Sequence, residues 1–345
     1  MKIIHCADVH LDSPLGTHLD SRRAAARNAE LTGSFLDLLH RAAETNVDAV
    51  IIAGDLFDGR AERRTMDLVL DAIASTPRVQ YFCLRGNHDR ENAPEEVPGN
   101  LHLFSHRWQY FDLGEVVIAG VELTGENQDQ IYDSLALSED RCNLVVLHGQ
   151  VGSGAGCIQL SRLREKHIDY LALGHLHRFA TGRLDNRGIW CYSGCLEGRG
   201  FDETGDKGYV ALTAGNTGVQ AAFCPWGRRK IHDIALDVTG QDSNSAVWKR
   251  LRQEALPGSD LVRVRLTGER TADSDLSAAY LEDLLGGSCY ALQVRDETVP
   301  VLDPGELSLR GEFARLVRAS GLDEADKADI LRAGLAALRG GEVEL

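Results

Sequence analysis

The sequence predicts an α/β layer architecture followed by a smaller domain, and three observations carry that expectation. Short apolar, β-branched runs alternate with stretches of helical periodicity through the first half of the chain. Polar clusters rich in His and Asp follow those runs, where open α/β sheets place their ligand sites. Near Trp226-Gly227-Arg228-Arg229-Lys230 the clusters stop and the character of the chain changes.

In chain order, residues 3–7 form a candidate first strand with Asp8-Val9-His10 at its end. A long helix follows, in which Leu31, Phe35, Leu38 and Ala42 recur at helical spacing against Arg27, Glu30, Asp37 and Arg41. Residues 49–53 are continuously apolar, as in a strand buried on both faces, and Gly54-Asp55-Leu56-Phe57-Asp58 ends the run. A helix over 65–74 leads through Pro77 to a strand at 81–84 and then to Gly86-Asn87-His88-Asp89. Further strands are expected at 116–119, at 143–147 before His148, and at 170–173 before Gly174-His175-Leu176-His177, with a helix over 128–137. Gly152-Ser153-Gly154-Ala155-Gly156 lacks the Lys-Ser/Thr ending of a phosphate-binding loop and reads as a flexible connection. Short β segments at 189–192, 209–212 and 219–223, separated by Gly-rich turns, suit an antiparallel part of a sandwich.

A chain of 345 residues suggests roughly two domains, and 43% apolar residues suffice for a sizeable core. The formal charge of −15 disfavours a generic nucleic-acid coat, which relies on accumulated Lys and Arg. It does not exclude an enzyme of phosphate esters, because bound divalent cations neutralise a carboxylate-lined site locally. Eight cysteines without a Cys-x-x-Cys pair are expected to be buried free thiols in a reducing compartment. No secretory leader and no membrane-spanning run stand out, so the expected location is cytoplasmic.

The clusters, in order, are Asp8 and His10, then Asp55, then Asn87 and His88, then His148, then His175 and His177. Residues i and i+2 of a strand share a face, so Asp-x-His and His-x-His can aim both side chains at one ion. Imidazole, carboxylate and amide oxygen together suit Mn²⁺, Fe²⁺ or Zn²⁺ better than Mg²⁺ or Ca²⁺. A carboxylate such as Asp55 can bridge two ions about 3.5 to 4 Å apart. A lone His-x-His is more often structural than metal-binding, but five clusters in one order, each after a strand-like run, point to a two-metal site. The seven other histidines lack such a setting. Asp12 and Asp58 lie close enough to tune the site, although carboxylates in turns are commonly solvated or capping.

These blocks, Asp8-x-His10, Gly54-Asp55, Gly86-Asn87-His88-Asp89, His148 and Gly174-His175-x-His177, resemble the five signature blocks of the calcineurin-like metallophosphoesterases. Within that superfamily, Gly-Asp-Leu-Phe-Asp, Gly-Asn-His-Asp and Tyr-Leu-Ala-Leu-Gly-His-Leu-His are most similar to the SbcD-type DNA-repair exonucleases. Phe201-Asp202-Glu203 and Lys207-Gly208-Tyr209 extend the likeness. The Arg-rich stretch after Asp58 and the Glu197-Gly198-Arg199-Gly200 segment look more like a less-studied bacterial branch.

The resemblance implies a four-layer αββα sandwich over 1–228, a smaller α+β cap at 229–303 that contacts DNA, and a helical segment at 304–345. It implies two divalent ions, Mn²⁺ foremost, with Fe²⁺, Zn²⁺ or Mg²⁺ as alternatives. Asp8, His10, Asp55 and His177 would hold one ion, and Asp55, Asn87, His148 and His175 the other. His88 would orient the phosphate or protonate the departing sugar oxygen. Arg85 and Arg90 are candidate phosphate contacts, with solvated surface arginines as the alternative. The implied activity is metal-dependent hydrolysis of DNA, as a 3′ to 5′ exonuclease or an endonuclease in repair. Implied partners are an SbcC-like coiled-coil ATPase and a second copy of the chain, with no membrane. Two rivals stand beside this: a phosphoesterase of nucleotides, small phosphodiesters or phosphoproteins, and a non-catalytic scaffold. The apolar positions Phe313, Leu316, Val317, Leu331, Leu335 and Leu338 of the last segment would pack on their own domain or dock a partner.

Overall fold

The first strand, β1 (Lys2–Cys6), sends alternate side chains to two different cores. Ile4 and Cys6 pack outward against the long helix α1 (Ser21–Glu44) through Phe35, Leu38, Leu39 and Ala42. Ile3 points the other way, into a layer shared with a second sheet. A computed structural model describes the chain except for residues 16–18, 90, 91, 93, 95, 155, 242, 254, 255, 272, 273, 302–307 and 338–345.

After α1 come β2 (Ala49–Ala53), α2 (Arg63–Ala74), β3 (Gln80–Leu84) and β4 (Leu101–Leu103). The strands β1 to β4 run parallel, and every residue of β2 is buried, as its unbroken apolar run requires. The second sheet contains β5 (Gln109–Asp112), β6 (Val116–Gly120), β7 (Cys142–His148), β8 (Tyr170–Gly174), β9 (Ala180–Arg183) and β10 (Ile189–Tyr192), ordered β5-β6-β7-β8-β10-β9. Two one-turn helices, α3 (Ile131–Ser134) and α4 (Leu160–Leu163), lie in its connections. The ten-residue helix expected over 128–137 is reduced to that one turn, so tertiary packing of Ile131 and Tyr132, not helix length, holds the segment. The chain then returns to the first sheet as the antiparallel pair β11 (Gly208–Gly215) and β12 (Gly218–Pro225), giving the order β12-β11-β1-β2-β3-β4.

The sheets face each other through Ile51, Phe82 and Leu84 on one side and Leu144, Val146 and Ala172 on the other. Outside the second sheet, Val145, Leu147, Leu171 and Leu173 pack on Ile131, Tyr132 and Leu163. The result is the αββα sandwich, with α1 and α2 as one outer layer and short helices with loops as the other. One polar bridge crosses the inner layer, where His5 Nδ1 and the Tyr170 hydroxyl meet at 2.8 Å.

Two compact units divide the chain, Met1–Lys230 and Ile231–Leu345. The second alternates β13 (Ile231–Asp237), α5 (Asn244–Gln253), β14 (Leu261–Thr267), α6 (Ala278–Leu285) and β16 (Ala291–Asp296). The three strands are parallel in the order β13-β14-β16, over a core that includes Leu236, Val247, Val264 and Leu281. The two-residue strands β15 (Glu269–Arg270) and β17 (Val299–Pro300) pair beside them. The helices α7 (Leu309–Ala319) and α8 (Glu324–Ala337) end the described chain. Phe313, Val317 and Leu331 pack with Val299, whereas Leu316 is exposed. Leu338 lies outside the described residues, and the side chain of Leu335 is not described. All eight cysteines are free. Among the described residues no helix is long and apolar enough to cross a membrane.

Candidate metal centre

The C-terminal ends of β1, β2, β3, β7 and β8 bring the predicted clusters to one place. Two loops run side by side there. Asp8 N–H donates to the Gly54 carbonyl at 3.0 Å, His10 N–H to the Asp55 carbonyl at 3.0 Å, and Leu11 N–H to the Leu56 carbonyl at 2.9 Å. Asp8, His10, Asp55 and His175 all adopt positive φ without being glycine, at 51°, 50°, 51° and 109°. Such conformations are held only where the surroundings over-determine them, and they gather at functional sites.

The donor atoms converge. His10 Nε2 lies 3.2 Å from His177 Nε2, and Asp8, His10 and His177 place their donors within 4.8 Å of one another. Beside them, His148 Nε2 lies 3.2 Å from Asp55 Oδ2 and 3.1 Å from Asn87 Oδ1, while His175 Nδ1 is 3.3 Å from the same amide oxygen. Asp55 stands between the two groups, because Oδ2 is also 3.8 Å from His10 Nε2. The structure thus gathers Asp8, His10, Asp55, Asn87, His148, His175 and His177 into one cluster.

Their hydrogen bonds set the rings for ligation. His148 Nδ1 donates to the Ala53 carbonyl at 2.9 Å and His177 Nδ1 to Glu203 Oε1 at 2.6 Å, which turns each Nε2 toward the other donor atoms. Burial disfavours charge on both rings, but Asp55 beside His148 and Glu203 beside His177 outweigh it and raise both above the ordinary imidazole value, so each must give up a proton to ligate. His10 Nδ1 is buried without a hydrogen-bond partner, 3.7 Å from Asp58 Oδ1. Two facing imidazole nitrogens and two buried carboxylates form a donor set that fits divalent cations of the Mn²⁺, Fe²⁺ or Zn²⁺ kind.

The electrostatics agree. Burial pushes the Asp8 carboxyl up to about 6, against the pull of His148 and His177. Burial also opposes ionisation of Asp55, but the His148 hydrogen bond and charge outweigh it and hold the carboxyl at about 2. Burial, with the Arg199 cation, lowers His10 to about 3, so the ring is neutral and able to ligate. Metal binding needs ionised Asp8 and unprotonated His148 and His177, so affinity should fall as pH drops through about 6. Each pH unit below that should weaken Mn²⁺ binding to the metal-free chain by roughly tenfold or more. Isothermal titration calorimetry across this range checks it, and a flat affinity would contradict the burial-driven shift.

Two glycines make the close approach possible. Gly54 has φ 97°, and a Cβ there would run into the His148 ring, while a Cβ at Gly86 would run into the Asp55 carboxylate. Gly54→Ala should destabilise the metal-free chain by on the order of 1–3 kcal/mol or more, through left-handed strain and displacement of His148. A thermal melt at the wild-type temperature would refute this.

His88 stands outside the donor set. Its ring is T-shaped to His10 at 4.9 Å, its side chain is 46% exposed, and Nδ1 lies 2.7 Å from Asp58 Oδ1. Its backbone N–H donates to Asp55 Oδ1 at 2.8 Å, which ties it to the shared carboxylate. Asp89 braces the turn, accepting from Gly86 N–H at 2.7 Å and Leu56 N–H at 2.8 Å. Asp12 caps the start of α2, through Glu62 N–H and the Thr65 hydroxyl.

The Arg85 guanidinium pairs with Glu122, at 2.6 and 2.9 Å. Arg90 lies outside the described residues. Three residues take roles at the site that the sequence did not assign to them. Asp58 holds His88, Glu203 holds His177, and Arg199 touches both carboxylates. The nearest sequence signals are the second Asp of Gly-Asp-Leu-Phe-Asp and the Phe-Asp-Glu string, neither of which reveals its partner.

Clustered imidazoles, shared carboxylates and an outlying histidine at the strand ends of an αββα sandwich define a metallophosphoesterase. The chain belongs to the calcineurin-like phosphoesterase family, whose sequence model matches residues 1–179. The members of that family are phosphoester hydrolases with a dinuclear metal centre. The chain is 27% identical over 312 residues to the uncharacterized metallophosphoesterase YhaO of Bacillus subtilis, covering 79% of this chain and 72% of that one. It is 23% identical to the DNA double-strand break repair protein Mre11 of Methanosarcina acetivorans, over 89% of this chain and 52% of the relative. With a subunit of the nuclease SbcCD of Rhodobacter capsulatus it shares 33% identity over 105 residues, 28% of this chain and 24% of that one. The chain therefore spans about half the length of this Mre11 relative.

Proposed function

We propose that the chain is a two-metal phosphodiesterase acting on DNA, as a 3′ to 5′ exonuclease or an endonuclease in repair. The observation that carries the hydrolytic reading is the placement of His88, half-exposed and anchored by Asp58, beside a closed set of metal-donor atoms. The names of the Mre11 and SbcCD relatives support DNA as the substrate.

Asp8, His10, Asp55 and His177 would hold one ion and Asp55, Asn87, His148 and His175 the other, with Mn²⁺ the expected metal. When bound, the ions supply a water nucleophile near neutral pH and offset the charge of the phosphate. Asp58 keeps a proton on His88 Nδ1, so Nε2 is the atom presented outward. In its protonated form His88 gives the Nε2 proton to the departing sugar oxygen, and Asp58 stabilises the imidazolium. The group His10, Asp58 and His88 also has clustered donor atoms, and we assign it to this acid pair in place of a third ion. Residues 229–303 are proposed to contact DNA, and the assembly to include a coiled-coil ATPase and a second copy of the chain; of the proposed terminal helical segment 304–345, residues 304–307 and 338–345 lie outside the described residues.

Mn²⁺-dependent turnover of end-labelled linear DNA, run beside a chromogenic phosphodiester and a phosphomonoester, tests the substrate. Release of nucleotides or cut fragments from DNA is expected. Activity confined to a small ester would overturn the DNA assignment.

A further inference from the structure

The guanidinium of Arg199 lies where the ligand side and the acid side of the site meet. Toward the ligands, Nη2 is 3.0 Å and Nε 3.3 Å from Glu203 Oε1, and the Arg199 backbone N–H donates to Glu203 Oε2 at 2.7 Å. Toward the acid, Nη1 is 3.4 Å from Asp58 Oδ2 and 3.4 Å from Ser13 Oγ. The Ser13 hydroxyl donates to that same Asp58 oxygen at 2.6 Å.

Each carboxylate holds one imidazole by its Nδ1, Glu203 that of His177 and Asp58 that of His88, at 2.6 and 2.7 Å. A single planar cation therefore stands between two anions whose other contacts include the two histidines. Without it the anions would repel, and the fixed link between one imidazole and the other would be lost. Lysine cannot replace it, because a point ammonium lacks the fixed fork that reaches two carboxylates at once.

Arg199 is itself held from behind. Arg27, fully buried on α1, donates to Glu197 Oε2 at 2.6 Å and to the Gly198 carbonyl at 2.9 Å. Glu197 also accepts Arg228 N–H at 2.8 Å. The backbone that delivers Arg199 is thus pinned to a rigid helix, and the Arg199 side chain is only 16% exposed.

We propose that Arg199 is a positioning residue that fixes the orientation of His177 and His88 relative to each other, by clamping Glu203 and Asp58 with one guanidinium. The inference rests on reading the cluster as a metal centre with His88 beside it. It adds a coupling between ion binding and proton transfer.

The test compares wild type, Arg199→Ala and Arg199→Lys by Mn²⁺ titration of the metal-free chain. It then measures kcat and KM on a phosphodiester with an alkoxide leaving group, for which protonation of the departing oxygen counts, with and without added guanidinium ion below denaturing concentrations. Arg199→Ala should weaken Mn²⁺ binding by about tenfold to a hundredfold and lower kcat at least as much, with KM unchanged. Guanidinium ion should restore part of both losses. Arg199→Lys should fall between the two, since it can hold only one carboxylate. A raised KM with wild-type kcat and Mn²⁺ affinity would overturn the proposal and make Arg199 a substrate contact. A lowered melting temperature with unchanged affinity and kcat would overturn it as well. Should Arg199→Ala not fold, Arg199→Lys decides: wild-type affinity and kcat there would refute the clamp. Two ions bound by wild type beside an indifferent variant would sink only the role of Arg199, whereas a wild type that binds no Mn²⁺ would sink the metal-centre reading beneath it.

Discussion

His88→Gln is expected to lower kcat by about 10²–10⁴-fold while leaving the Mn²⁺ stoichiometry of the chain unchanged. The separation follows from geometry. His88 uses Nδ1 on Asp58 and its backbone N–H on Asp55, and its ring lies beside His10, in the group with Asp58 that we assign to proton transfer. Glutamine keeps the backbone contact and a polar side chain but cannot carry a proton to a leaving oxygen near neutral pH. The loss should therefore fall on kcat, and it should shrink for substrates whose leaving group is a good one, because protonation then matters less. Steady-state kinetics on a nitrophenyl ester and on DNA, with metal analysis of the same samples, checks both statements. Unchanged turnover would refute the acid role, and loss of bound metal would make His88 a ligand.

Asp55→Ala is expected to have the largest effect on the site, reducing bound Mn²⁺ to at most one ion and abolishing turnover. Asp55 is a carboxylate placed between both groups of donors, with Oδ2 facing His148 at 3.2 Å and His10 at 3.8 Å, and Asp8 also has its donor atoms close to both groups. Its Oδ1 accepts the His88 N–H at 2.8 Å, so the substitution also leaves that amide without its acceptor, at a cost of about 1–3 kcal/mol. Ligand binding to the native state stabilises it by mass action, so Mn²⁺ should raise the melting temperature of wild type. That increment should be lost or much reduced in Asp55→Ala. A full Mn²⁺-dependent rise in the variant would show that Asp55 is not shared.

The gathering of the candidate donors was legible because sequence-local rules cover it. Apolar runs such as 49–53 and 143–147 mark strands, and Asp8, Asp55, Asn87, His148 and His175 each follow such a run closely. Parallel strand order then brings those ends together. The partners of the site were not legible, because they depend on contacts between distant segments. Arg199 meets Asp58 across 141 residues of sequence, and Glu203 meets His177 across 26, with no spacing rule to announce either. The pairing of Arg85 with Glu122, 37 residues away, was equally hidden. The segment 128–137 failed for a related reason. Its apolar positions are satisfied by packing on the second sheet, so one turn of helix is enough.

The most direct test of the account is equilibrium dialysis of the metal-free chain against Mn²⁺, followed by elemental analysis. Two ions per chain are predicted, falling to one or none in Asp55→Ala. One ion or none in wild type, or two ions that persist in Asp55→Ala, would contradict it.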